Sequence, residues 1–231
     1  MSNLCDYQLF DLLDVKKLLG NPSSSVNEIF DIIAEKVMCE YQISKNGINY
    51  DILEVEFYYF DKNHKDIITY PRTIECGRWF FHASGIDISF RSICEEKFSK
   101  SGDAKENFFG GILIRSLLKN GKEVISGPLK CSWELFDSFN AFAFSPEEFP
   151  VITEKTDINR PSVYKTTRWI PYKKDSAESR YKQNYNSFIE FLSYPYRYYI
   201  KHPEWINSKA SNYNTQPWNS GKEEILILNH C

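Results

Sequence analysis

The sequence predicts a single α+β domain built on a mainly antiparallel β-sheet, and three observations predict it. Strand-like segments are joined by Asn-Gly turns, the pair that two-residue hairpins favour. Segments with helical spacing stand at the start of the chain and again near 176–193, rather than alternating with the strands. No repeat, low-complexity tract or linker separates two cores, and 231 residues are enough to bury one core without stapling.

The elements follow in order. "LFDLLDVKKLLG" has helical spacing and ends at Gly20, and "NPSSS" breaks the chain. Ser25 followed by Glu28 fits a capping box, so a second helix is expected over 26–38. "SKNGINY" carries an Asn-Gly turn that feeds the opening strand, "DILEVEFYYF". On a regular alternation, Leu53, Val55, Phe57 and Tyr59 line one face of that strand, and Glu54, Glu56 and Tyr58 the other. "GRWFFHASGIDISF" reads as one strand or two with a break at Gly85. A strand from Gly111 to Leu118 turns at Asn120-Gly121 into a short return, and "CSWELFDSF" is expected to be helical. After Pro150 the texture is polar and irregular, with helical pieces near 176–193 and then "SYPYRYYIKHPEWI", extended between prolines.

Composition excludes several function classes. No apolar run is long enough to span a bilayer, and the N-terminus lacks a basic, hydrophobic signal sequence. The six cysteines show no metal spacing and are expected to be reduced thiols of a cytoplasmic or nuclear protein; no zinc, other metal or cofactor is expected. Phosphate loops, dinucleotide-binding glycine motifs, nucleophile elbows and H-E-x-x-H are all absent. The net charge is −3, yet residues 160–201 hold nine basic side chains against three acidic ones. Interleaved with Tyr and Trp, that stretch is either a phosphate-binding surface or a solvated face.

Chemistry is concentrated on the polar face of 51–60. A carboxylate flanked by rings is partly desolvated, which suits a general base, although an edge strand with exposed acids has the same pattern. Arg115 stands in the apolar strand "GGILIRSLL" and needs a carboxylate partner there, with Glu54 or Glu56 the obvious ones. Such a pair is equally a structural bridge. Tyr58, Trp79, Phe80 and Phe81, with His64 and His82, are rings that either sandwich a flat ligand or fill a core.

These pieces, in this order, resemble the single-domain alkyladenine (3-methyladenine) DNA glycosylases. "ILEVEFYY" is similar to that family's Glu-x-Glu-x-Tyr strand, "GRWFFHASG" to its aromatic strand, and "GGILIRSL" to its arginine strand. "YPRT", "SGPLKC", "TTRWIPY" and "YPYRYYIKHPEWI" resemble further family segments, collinearly from about residue 26 to 206. The resemblance implies one domain, 1–231, with a curved sheet and flanking helices, residues 1–25 being an N-terminal extension and 207–231 a tail. It implies that Glu56 activates water, held with Arg115 and the Trp169 carbonyl, to hydrolyse the N-glycosidic bond of a damaged or modified base. Tyr58, His64, Phe81 and His82 would then bind the base, and Arg72, Arg168, Arg197 and Lys201 the nucleic acid. DNA is the implied partner of a monomeric, monofunctional base-excision enzyme that flips its base, with no membrane involved.

The sequence departs from the family in four ways. Ser84 stands where the family has a tyrosine that wedges into the duplex, the segment between "YPRT" and "GRWFF" is several residues shorter, no asparagine falls near Ser89–Arg91, and the chain is net acidic. A hydrolase of free nucleosides or nucleotides, or a non-catalytic modified-base binder, uses the same pocket.

Overall fold

Ser25 ends a loop and begins the longest helix: its hydroxyl accepts from the Glu28 backbone N–H at 3.2 Å, which satisfies an amide the helix cannot. That helix lies across the sheet, and its apolar stripe, Ile29, Phe30, Ile33 and Val37, is buried in the main core. The computed structural model describes residues 4–95, 107–137, 142, 145–157, 160–168, 170, 173–207 and 225–226.

The helices are α1 (Leu9–Leu12), α2 (Val15–Leu18), α3 (Val26–Cys39), α4 (Pro128–Phe136), α5 (Lys174–Tyr181), α6 (Tyr185–Ser193) and α7 (Pro203–Asn207). The strands are β1 (Tyr41–Lys45), β2 (Ile48–Phe60), β3 (Trp79–His82), β4 (Gly85–Ser89), β5 (Phe109–Lys119), β6 (Glu123–Ser126), β7 (Val151–Glu154), β8 (Val163–Thr166), β9 (Arg197–Ile200) and β10 (Ile225–Leu226). Among the described residues they form one antiparallel, curved, unclosed sheet in the order β10-β8-β9-β2-β5-β4-β3. β1 also pairs with β2 and carries β7, and β6 pairs with β5. The α+β expectation therefore holds.

Both Asn-Gly turns form as read. Asn46 and Gly47 have φ of 51° and 72°, Asn120 and Gly121 of 49° and 68°, the left-handed pairs that match strand twist. The first helical segment is instead cut in two, because the Asp14 carboxylate accepts from the Lys17 backbone N–H and starts a new turn. Residues 9–18 also prove integral rather than an appendage: Leu9, Leu12, Leu13, Val15 and Leu18 are buried in the main core. The strands β7 and β8 lie in the stretch expected to be irregular.

The long β2–β5 ladder contains the irregularity that shapes the molecule. Ile52 pairs with Leu117, Glu54 with Ser116 and Val55 with Ile114, so Leu53 and Arg115 have no cross-strand partner. Such a doubled bulge bends both strands and turns two successive side chains to one face. Ile52, Val55, Phe57 and Tyr59 accordingly join α3 in the main core, where the Phe57 and Phe30 rings sit 4.7 Å apart. Leu53 does not; it packs with Leu118, Tyr199 and Trp205 in a separate cluster. That corrects the regular alternation expected for 53–59.

Four cysteines, Cys39, Cys76, Cys94 and Cys131, are free thiols, whereas Cys5 is disulfide-bonded, which corrects the expectation of six reduced ones. Burial pushes the Cys39 thiol up to about 11 and the Cys131 thiol higher, so neither supplies a thiolate nucleophile at neutral pH. No described helix is long and apolar enough to cross a membrane.

Candidate active site

The bulge gathers four charged side chains beneath one side of the sheet. Glu54, 1 % exposed, accepts from Arg115 Nε at 3.2 Å, from the Ser116 hydroxyl at 2.7 Å and from Arg197 of β9 in a short contact. Glu56, two residues on and 0 % exposed, lies 3.2 Å from Arg115 Nη1 and 3.9 Å from Arg197 Nε. Burial opposes the charge on Arg115, but the Glu56 and Glu54 carboxylates outweigh it and hold its pKa above the usual guanidinium value. Beside the aromatic neighbour expected for the carboxylates stand two guanidinium groups, which satisfy the need for pairing in a dry site.

Above this cluster opens a cavity of about 510 Å³, with Glu56 and Arg115 in its lining. Tyr58 lines it too, and from Ile52 to Phe60 it is the one residue not fully buried. Its phenol donates to Glu56 Oε2 at 2.7 Å. Burial and the neighbouring carboxylate push that phenol well above its usual pKa, so it remains a proton donor. The Arg168 guanidinium lies 4.7 Å from the Tyr58 ring centre and fixes the ring from one side. Gly111, paired with Tyr58 across β5, leaves room for the opposite wall: a Cβ there would lie 3.1 Å from Asp87 Cβ and 3.3 Å from Arg72 Nη1.

That wall is a second network. Arg72 Nη1 sits 2.7 Å from Asp87 Oδ2, its Nε donates to the Tyr70 carbonyl, and its plane lies 3.9 Å from the Phe80 ring centre. His82 Nε2 is 2.9 Å from Asp87 Oδ1, and His82 Nδ1 accepts from the Ser84 backbone N–H, an arrangement that leaves Nε2–H to donate. The His82 ring also meets Tyr70 at 4.7 Å. Arg72, His82, Tyr70 and Ser84 all line the cavity.

Of the residues singled out in the sequence, Glu56, Arg115, Tyr58, His82 and Arg72 thus come together. Others do not. His64 turns away: its Nδ1 is 3.0 Å from the Tyr59 carbonyl and its Nε2 2.8 Å from the Tyr196 hydroxyl, and it lines a different recess. Phe81 alternates with His82 along β3 and so faces the other way, 54 % exposed, with its ring 4.7 Å from that of Phe136.

Arg168 and Arg197, each 1 % exposed, are held by Asp66 and Glu54 inside the protein and offer no surface to a phosphate. Arg72 is likewise taken up by Asp87, and Lys201 lies over the Tyr164 ring rather than in the cavity lining. Trp169 lies outside the described residues. Sequence reasoning missed Tyr70, Asp87, Arg180 and Tyr181 as cavity residues; Tyr70 stood in the quoted "YPRT", Asp87 in "GRWFFHASGIDISF", and the other two in the stretch expected to hold helical pieces. No group of three or more His, Cys, Asp or Glu among the described residues is placed to hold a metal ion.

No protein-family model matches the chain. It is similar to an uncharacterized protein, L759, of Acanthamoeba polyphaga mimivirus, 27% identical over 203 residues that span 77% of this chain and 88% of the viral protein.

Proposed function

We propose that the protein is an N-glycosidic hydrolase of the DNA-glycosylase type. Glu56 takes a proton from a water molecule positioned beside Arg115, and the water oxygen attacks the anomeric carbon of a nucleoside whose base rests on Tyr58. The carbon–nitrogen bond breaks, its electron pair leaves with the base, and the proton held by Glu56 is available to the departing nitrogen. One observation carries this reading: a fully buried carboxylate faces a 510 Å³ cavity between a guanidinium and a phenol donor, with a ring beside it. A cavity of that size is in the range that holds a small molecule or an extruded base.

The test is release of free base from alkylated, deaminated and bulky modified bases, offered in single- and double-stranded oligonucleotides and as free nucleosides. Glu56→Gln should lower release by about 10²–10⁴-fold while circular dichroism stays native, the range typical for loss of a general base. Release that persists in that variant, or none from any substrate with the wild type, overturns the proposal.

A second reading, a hydrolase of free nucleosides or nucleotides, is favoured by Ser84. It lines the cavity and offers no ring to fill a gap left in a duplex. The oligonucleotide and nucleoside arms separate the two.

A further inference from the structure

Eight of the nine basic side chains in 160–201 fall into two populations, and Lys201, the ninth, lies over the Tyr164 ring. Arg160, Lys165, Arg168, Lys174 and Arg197 pair with Glu40, Asp31, Asp66, Glu178 and Glu54. Each of these cations already has a carboxylate partner, although Lys174 stays largely exposed. Lys173, Arg180 and Lys182 have no ion pair among the described residues, and all three stand at the ends of one helix, α5.

The placement is specific. Lys173, Ser176, Ala177 and Arg180 recur at three- and four-residue spacing, so they form one stripe of α5. That stripe lines a recess of about 290 Å³. The recess shares Ile170, Arg180 and Tyr181 with the Glu56 cavity, so the two are neighbours. The carboxylates of α5, Asp175 and Glu178, fall off the stripe, and Glu178 is engaged by Lys174. Within the cavity itself, Arg115 faces Glu56 and Arg72 faces Asp87, which leaves Arg180 as the lining cation with no carboxylate partner among the described residues. The recess therefore presents two positive side chains and a hydroxyl.

We propose that this recess is a phosphate subsite. It takes the phosphate ester of the nucleoside whose base lies on Tyr58, with Lys173 and Arg180 making charge-assisted hydrogen bonds and the Ser176 hydroxyl a further one. The phosphate belongs either to a nucleoside monophosphate or to the backbone of a strand. The assignment of a nucleoside to the cavity rests on the hydrolase reading above; the anion site itself does not.

The test is a binding measurement, independent of turnover. Calorimetry at fixed ionic strength would compare inorganic phosphate, the common nucleosides, their 5′-monophosphates and short single-stranded oligonucleotides. Wild-type protein should bind inorganic phosphate, and should bind a monophosphate about tenfold or more tightly than its nucleoside. Lys173→Gln/Arg180→Gln should abolish both effects. Lys182→Gln removes a nearby charge that does not line the recess and should leave both in place. A monophosphate no tighter than its nucleoside, or an advantage that survives the double substitution, overturns the subsite. Equal losses in the Lys182→Gln variant would do the same, since they would mark general charge attraction. Oligonucleotides outbinding monophosphates would assign the phosphate to a strand, the reverse to a free nucleotide. If no base is released from any substrate, the hydrolase reading fails while these affinities still decide the subsite.

Discussion

His64 illustrates how a residue that looks like a ligand contact serves another purpose. Burial lowers its pKa below 6.5, against the pull of the Asp66 and Asp61 charges, so the fold holds the ring neutral. In the acid range the unfolded chain therefore binds the proton that the folded one refuses, and stability contributed by this site is lost as pH falls from 6.5 through the folded value. Asp61, whose pKa is lowered from 3.8, makes its own contribution fail only at more acid pH. Urea midpoints taken from pH 7.5 to 5 should thus decline in the wild type and flatten in His64→Gln; identical slopes would remove His64 as the cause. Glu54 makes a companion case. It pairs with two buried guanidinium groups and accepts from Ser116. Glu54→Ala should therefore cost about 3–5 kcal/mol in denaturant unfolding, the penalty of stranding buried charge. Glu54→Gln, which keeps an acceptor, should cost less.

The doubled bulge in β2 and β5 is the element that makes the site. Without it Leu53 and Glu54 would face opposite sides, and Arg115 and Ser116 likewise. The sequence alternates cleanly enough to identify a strand and to single out Glu54, Glu56 and Tyr58, which do share a face. It carries no mark of the bulge, because neither Leu53 nor Arg115 is a glycine or other signal of irregular backbone. Glycines matter elsewhere in the same ladder. A Cβ on Gly110 would lie 2.3 Å from the Tyr58 carbonyl and 3.1 Å from Tyr59 Cα, both backbone atoms that cannot step aside. Gly110→Ala should therefore open the ladder beside Tyr58. The expected loss is about 1–3 kcal/mol or more of stability, with weakened ligand binding. Gly121→Ala meets nothing within 4 Å and should show only the cost of its left-handed backbone, about 1–2 kcal/mol, with binding unchanged. Equal effects in thermal unfolding and binding would show that close approach at Gly110 is not what matters.

At the scale of the whole molecule, the sheet carries a main core on the α3 side, and on the other side a smaller cluster under α5 and α6. The division was only half legible in the sequence. Capping at Ser25, both Asn-Gly hairpins and the carboxylate face are local signals and could be read. The packing of α5 at the cavity and of α6 against the sheet depends on contacts across more than a hundred residues, which no local period records. Arg168 ties α6 to the sheet. From within the protein it donates to the Phe57 carbonyl of β2 and the Phe191 carbonyl of α6, pairs with Asp66, and backs the ring of Tyr58. Asp66 is itself 0 % exposed, so Arg168→Met strands a buried carboxylate and should cost about 3–5 kcal/mol. The distribution of that loss is the informative part. If Arg168 latches α6 onto the sheet, amide exchange in 185–193 should quicken far more than in β2 and β5, because α6 opens without unzipping the central ladder. Ligand affinity should fall with it, since Tyr58 loses its backing and Tyr181 its support. If exchange instead rises uniformly across sheet and helices, Arg168 belongs to the single cooperative core, and the cavity wall is no more separable than the sheet that floors it.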